Sequence, residues 1–569
     1  MTHLKVCLRP NSYAKLEGAG GLELLEQDTE SPPSARQRHE GFGIAGAVER
    51  LSYMDDHTLN RRNLLRSAAI AALPGVAAAQ SPASLVIDPQ PEFAISPWLY
   101  MQFMEPLGVT DSSVEACWDY DRDDWRKDFV DTVKYLSPGA MRFGGLFSRH
   151  YKWREGIGPV AKRPAIRNYF WGGKETNRVG THEFVDLCRR VGAEPFYCVN
   201  FGSDGEKRFL TTPEGNRTGD AREAADWVSY ANDPDNKERR QNGAAEPFNL
   251  KVWQLGNETS YGGNRTFTMD QSIAATLDFA KAMRQRDPSL QLIGWGDHGA
   301  GNVLWAGELL KRAGDRIDMV AMHMMGQSPK RTDTVLKGLL YQKDPERAWE
   351  ELSEMTGRLE VRLEEMEAVI AAQSSKAGIA ITEGHLSLAP QNANPILYEW
   401  LSAVYHAKSL NLYQRHGAHI KIATAADFNG TRWTNVGVML QTPRGVSYLM
   451  PVASIARLFK KVNGTHGVQV KTAPSNLDIA ASRTDGKVYL HVANLEYKRS
   501  VEAEFAVAGM KITGGRVHEI APQDLRQYVS QDQPDVFKPR EVALAADPAP
   551  KWRFPAGSVS AVELDVQSV

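Results

Sequence analysis

The chain has 569 residues, enough for two or three domains and a sizeable core. Its 67 basic and 69 acidic residues give a formal charge of −2, which offers no electrostatic case for nucleic acid or an acidic membrane surface as a partner. Its four cysteines show no C-x-x-C or Cys/His spacing, so a disulfide scaffold and a zinc cluster are both unsupported.

Residues 1–53 are polar and Gly-rich, with no sustained period. Arg61-Arg62 then precede a short Ala-rich apolar run, Ser67 to Val76, and the small residues Ala77-Ala78-Ala79. Twin arginines, a short apolar region and an A-x-A site together read as a twin-arginine export signal over 54–79. The run is too short to span a bilayer, so no stable membrane anchor is expected. Translation is expected to begin at Met54, with 1–53 a start-site artefact and the mature chain starting near Gln80. A periplasmic or extracellular location follows from this reading.

From residue 96 to 449, strand-like runs alternate with helix-sized segments. The strands are expected at Trp98–Met104, Gly139–Gly144, Glu194–Asn200, Leu250–Gly256, Leu290–Trp295, Ile317–His323, Gly378–Thr382 and Ile420–Ala426. Eight such units point to an α/β fold, a (β/α)8 barrel. Polar residues fall at the C-terminal ends of several strands: Glu105, Asn200, Glu258, His323, Glu383 and Asp427. Barrel active sites are built on that face. From 450 to 569 the texture changes to short alternating runs, with a hairpin signal at Thr484-Asp485-Gly486. This segment is expected to form an antiparallel β-sandwich, which a strand at Ala83–Asp88, within the 80–95 lead-in, joins.

Trp253-Gln254-Leu255-Gly256-Asn257-Glu258 is an apolar run ending in a polar pair, and Gly378 to His385 carries Glu383 in a similar position. Two carboxyl groups facing one another across a barrel mouth are what glycoside hydrolysis requires: one protonates the leaving oxygen, and the other attacks the anomeric carbon or activates water. Asn257 is suited to a sugar hydroxyl, Glu105 to further hydroxyls, and Arg142 to orienting a carboxylate. His323 suits tuning of the nucleophile or substrate binding, and equally a packed structural role. Trp295, Trp153 and Trp433 are candidates for stacking on sugar or for the core.

The order Ile95 to Glu105, Tyr151 to Pro159, Asn177 to Phe184, Gly192 to Pro195 and Leu255 to Glu258 resembles glycoside hydrolase family 51, the retaining α-L-arabinofuranosidases, over nearly all of 83–569. The resemblance implies Glu258 as acid/base, Glu383 as nucleophile, Asn257 as partner of the sugar 2-hydroxyl and Glu105 as a grip on the furanose. It implies an exo-acting enzyme on plant-type polysaccharides or oligosaccharides, with no metal or organic cofactor and a possible homo-oligomer. Three departures bear on sugar identity. Leu146 stands where the family has a sugar-binding Asn, Met324 and Met325 follow His323 where an aromatic is common, and Arg432 replaces a Gln near the last strand. They keep open a different furanose or pyranose glycone, and a non-catalytic carbohydrate-binding protein is the alternative from another class.

Overall fold

The computed structural model describes residues 83–107, 114–261, 267–390, 393–430, 433–440 and 445–569. The leader, the export-signal segment and Arg432 lie outside the described residues. No described helix is long and apolar enough to cross a membrane.

Eight parallel strands form a nearly closed barrel: Met101–Met104, Ala140–Phe143, Glu194–Val199, Val252–Leu255, Gln291–Trp295, Met319–Gln327, Gly378–Ser387 and Ile420–Ala423. Each pairs with the next in chain order. The last strand is interrupted, and its continuation, Asp427–Gly430, pairs with the first through Asp427 and Phe103. Every residue of the first, second and fourth strands is buried. That is the reason these strands read as continuous apolar runs rather than alternating ones: side chains fill the barrel on one face and meet helices on the other. Met101, Phe196, Val252, Ile293, Met319 and Ile422 pack inside the barrel.

The observed strands fall within a few residues of those expected, with one informative difference. The sixth and seventh run on to Gln327 and Ser387. Between them the register slips, so that Met322 faces Ile381 but His323 faces Glu383. Thr382 is thus the extra residue of a bulge, a device that bends a strand and re-aims its next side chain.

The outer ring includes a 28-residue helix, Pro345–Ala372, which Asp344 caps by accepting from the Arg347 N–H. Helix Pro451–Lys461 buries Val452, Ile455, Leu458 and Phe459 in the same core as the barrel helices. The segment expected to be sandwich from 450 onward therefore opens with a barrel-packed helix. The β-sandwich strands begin at His466 and belong to a nine-stranded sheet with a separate apolar core. Ala83–Ala94 joins this sheet, antiparallel to His466–Thr472 and parallel to Val501–Val507.

Candidate active site

Glu258 sits in a tight turn after the fourth barrel strand. Gly256 turns the chain at φ +77°, where a Cβ would lie 2.7 Å from the Phe201 ring, and Glu258 itself is held at φ +55°. A left-handed conformation costs a non-glycine residue roughly 1–2 kcal/mol, so the surroundings must enforce it. Arg149 does so from beneath. Its guanidinium donates to the Asn257 carbonyl at 2.9 Å, to Asp204 Oδ2 at 2.7 Å and to Glu206 Oε1 at 2.6 Å, all buried. Two carboxylates fix the guanidinium, and the guanidinium fixes the turn.

Glu383 emerges from the bulged seventh strand. Arg142, fully buried, bridges it to the fourth-strand turn: Nη1 donates to Glu383 Oε1 at 3.0 Å and Nη2 to Asn257 Oδ1 at 2.6 Å. Asn257 Nδ2 is buried and has no acceptor among the described residues, which leaves a donor to meet a ligand hydroxyl. His323 Nδ1 lies 2.9 Å from Glu258 Oε1 and 3.6 Å from Glu383 Oε2, and its Nε2 is 3.2 Å from Thr382 Oγ1. Burial pushes the His323 imidazole down to about 4, so the ring is neutral near pH 7. Burial also raises the Glu258 carboxyl above the usual range, against the opposing pull of Arg149 and Arg142.

One oxygen from each of Glu258 and Glu383 and a ring nitrogen of His323 lie within 4.8 Å of one another. The three could in principle share a cation. The Arg142 guanidinium, already bonded to Glu383, places a fixed positive charge there and disfavours a second one.

Glu105 is the third carboxyl. Its Oε1 accepts from the Phe147 N–H at 2.7 Å and from the Trp171 indole at 3.0 Å. Burial, then the nearby Glu383 charge, push it up to about 8. Gly145 makes room for it, since a Cβ there would stand 2.3 Å from Glu105 Oε2.

Glu105, Arg142, Asn257, Glu258, His323 and Glu383 therefore form one constellation. Trp295 lies behind it: buried, edge-on to His323 at 4.6 Å, with its indole donating to Ser260 Oγ at 2.8 Å. It braces the histidine and offers no open face for stacking. Trp153 is not brought to the site. It stacks on Trp227 at 5.9 Å and 2° and donates to the Glu223 carbonyl, buried in the helical layer, so its assignment to substrate is corrected to core. Trp433, partly exposed, packs edge-on against Trp171 at 5.2 Å. Sequence reasoning missed Trp171, Arg149, Asp297 and Arg362. A cleft of about 870 Å³ adjoins His323, lined also by Tyr261, Gln327, Arg358 and Arg362.

Residues 132–339, which carry this turn and both arginines below it, match the family model described as the alpha-L-arabinofuranosidase 1 domain. Over that segment the chain is similar to alpha-L-arabinofuranosidases. It is 34% identical over 266 residues to a probable alpha-L-arabinofuranosidase C of Aspergillus niger, covering 42% of this chain and 48% of that protein. It is 32% identical over 214 residues to an intracellular exo-alpha-(1->5)-L-arabinofuranosidase of Acetivibrio thermocellus, covering 36% and 39%. The chain thus spans no more than about half the length of these curated relatives. The alpha-L-arabinofuranosidase of Thermotoga maritima, solved with arabinose, superposes with a TM-score of 0.69 at 24% identity, over 85% of this chain and 100% of that one. The GH51 arabinofuranosidase of Xanthomonas axonopodis pv. citri gives 0.68 at 20% identity, over 85% and 99%. At these identities the two superpositions establish the shared fold.

Proposed function

We propose that the protein is an exo-acting retaining α-L-arabinofuranosidase working on plant-type polysaccharides or oligosaccharides. The observation that carries this reading is the approach of Glu258 and Glu383, whose nearest ligand atoms lie within 4.8 Å. Retaining glycosidases hold their carboxyl groups about 5–5.5 Å apart, whereas inverting enzymes need about 6.5–9.5 Å to admit water between them. The names of the Aspergillus and Acetivibrio relatives support the arabinofuranoside glycone.

In the first step Glu383, oriented by its ion pair with Arg142, attacks the anomeric carbon. The glycosidic C–O bond breaks, and the leaving oxygen takes the proton of Glu258. In the second, water gives a proton to Glu258 and attacks the same carbon, expelling the Glu383 carboxylate. Asn257 Nδ2 supplies a hydrogen bond to the 2-hydroxyl, and Glu105 meets further hydroxyls. The Arg61-Arg62 pair, the apolar run and the Ala-rich end of 54–79 support export to the periplasm or beyond.

Hydrolysis of nitrophenyl α-L-arabinofuranoside by the full chain, beside Glu258→Ala and Glu383→Ala, tests the proposal. Turnover by the parent, release of the α-anomer first by NMR and loss in both variants are expected. Parent-like turnover by both variants would refute the mechanism. Turnover confined to another glycoside in a panel would move the glycone, with Leu146 as the first residue to examine.

A further inference from the structure

Asp297 follows the fifth barrel strand and is fully buried, yet five donors converge on it. Oδ1 accepts from Arg362 Nη2 at 2.6 Å and from the His298 N–H at 2.7 Å, with the His298 ring Nδ1 at 3.1 Å. Oδ2 accepts from the Tyr261 hydroxyl at 2.7 Å and from the His323 N–H at 3.0 Å. Arg362, from the long helix Pro345–Ala372, turns its other nitrogen to the His323 carbonyl at 2.7 Å. The peptide groups on both sides of His323 are therefore gripped by one ion pair, the N–H by Asp297 and the carbonyl by Arg362. Trp295 closes over the imidazole edge-on at 4.6 Å, and Tyr261, tied to the same carboxylate, lies edge-on at 6.1 Å. The imidazole so fixed is the group that reaches Glu258 Oε1 at 2.9 Å.

We propose that the buried Asp297–Arg362 pair positions the acid/base, holding His323 so that Glu258 stays aimed at the leaving oxygen. Neither residue touches the reacting atoms. A buried, paired charge is expensive to assemble, and one wired to both ends of a single residue's backbone fixes that residue in place. Glu383 has its own ion pair, with Arg142, and His323 Nδ1 stands 3.6 Å from it against 2.9 Å from Glu258, so the Asp297–Arg362 pair bears more on proton transfer than on attack.

The inference rests on the proposed acid/base role of Glu258, and leaving-group dependence separates the two. A dinitrophenyl α-L-arabinofuranoside departs with little need of a proton, whereas a phenyl one requires it. For Asp297→Asn and Arg362→Met, kcat/KM on the phenyl substrate should fall about 10–100-fold, a share of the ~10²–10⁴ that general acid catalysis supplies, with the dinitrophenyl substrate changed less than about threefold. Arg362→Lys, keeping a cation at a partly exposed position, should recover part of the phenyl rate and provides the reading if Asp297→Asn does not fold. Equal losses on both substrates, or none, in the folded variants would overturn the positioning role. Glu258→Ala is the control: a steep dependence there with a flat one in the variants sinks only this inference. A flat response in Glu258→Ala sinks the acid/base assignment itself.

Discussion

Replacing Arg142 with Met tests the electrostatic core of the site. The guanidinium is completely buried and, among the described residues, is the arginine bonded directly to Glu383, at 3.0 Å, while also holding Asn257 at 2.6 Å. Removing one partner of a buried ion pair typically costs about 3–5 kcal/mol, because the remaining charge is stranded. Assigned to the reacting state, that is a loss of about two to nearly four orders of magnitude in kcat/KM. Arg142→Lys keeps a charge for Glu383 but cannot span to Asn257. Losing one charge-assisted hydrogen bond, about 1.5–3 kcal/mol, should lower kcat/KM by about 10–150-fold. Steady-state kinetics against pH on an aryl α-L-arabinofuranoside would show both effects. A folded Arg142→Met with kcat/KM within a factor of about five of the parent would refute the reasoning.

Glu105 is raised from 4.5 to about 8 and is therefore protonated at neutral pH in the folded protein. The folded state holds this proton more tightly than the unfolded chain, so its stabilising contribution is complete below about pH 4.5 and is lost as pH rises through about 8. Thermal stability should fall progressively between about pH 4.5 and about 8 and then level off, KM should worsen as pH passes through about 8, and Glu105→Gln should flatten both trends. Gly145→Ala drives a Cβ to 2.3 Å from Glu105 Oε2, so a rise in KM and a destabilisation of about 1–3 kcal/mol are expected from kinetics and denaturant unfolding. Trp171→Ala and Trp153→Ala should part company. The first removes a donor to Glu105 and should raise KM with little change in stability. The second empties the helical layer and should cost about 3–5 kcal/mol while leaving the kinetics of the folded fraction intact.

The residues at the strand ends were legible in the sequence because a barrel strand announces itself as a short apolar run and the chemistry begins where the run stops. Glu258, Glu383, Asn257 and Glu105 were found that way, and all four meet. What escaped was whatever depends on contacts far apart in the chain. Arg149 reaches the Asn257 carbonyl across 108 residues, and Arg362 reaches the His323 carbonyl across 39. An arginine on a helix reads as surface until its partner is known. Arg142 was identified by its place at a strand end, though not its second bond to Asn257. Trp153 failed for a related reason: an aromatic beside a charged loop looks the same in sequence whether its face meets sugar or, as here, another tryptophan. The bulge at Thr382 left no mark on the apolar pattern, yet it sets Glu383 opposite His323.

Three carboxyl groups share this pocket, and their division of labour follows from which neighbour each is given. Glu383, the proposed nucleophile, is bonded to a buried guanidinium, which fixes its Oε1 at 3.0 Å. Glu258 faces a neutral imidazole instead, with its arginine neighbour Arg149 bonded to backbone rather than to the carboxyl, and burial raises it toward the protonated form an acid needs. Among the described residues Glu105 is bonded to the Phe147 N–H and the Trp171 indole and to no arginine, and burial with the nearby Glu383 charge holds its proton at neutral pH. A neutral carboxyl can both donate to and accept from sugar hydroxyls, which an ionised one cannot. Exchanging the neighbours should therefore exchange the roles. A cation brought within reach of Glu258, for instance by His323→Lys, should hold that carboxyl ionised and abolish protonation of poor leaving groups, while Glu383 keeps its charge and the dinitrophenyl substrate still reacts. If His323→Lys instead cleaved phenyl and dinitrophenyl arabinofuranosides in the parent's ratio, the neutrality of residue 323 would have no part in assigning the acid.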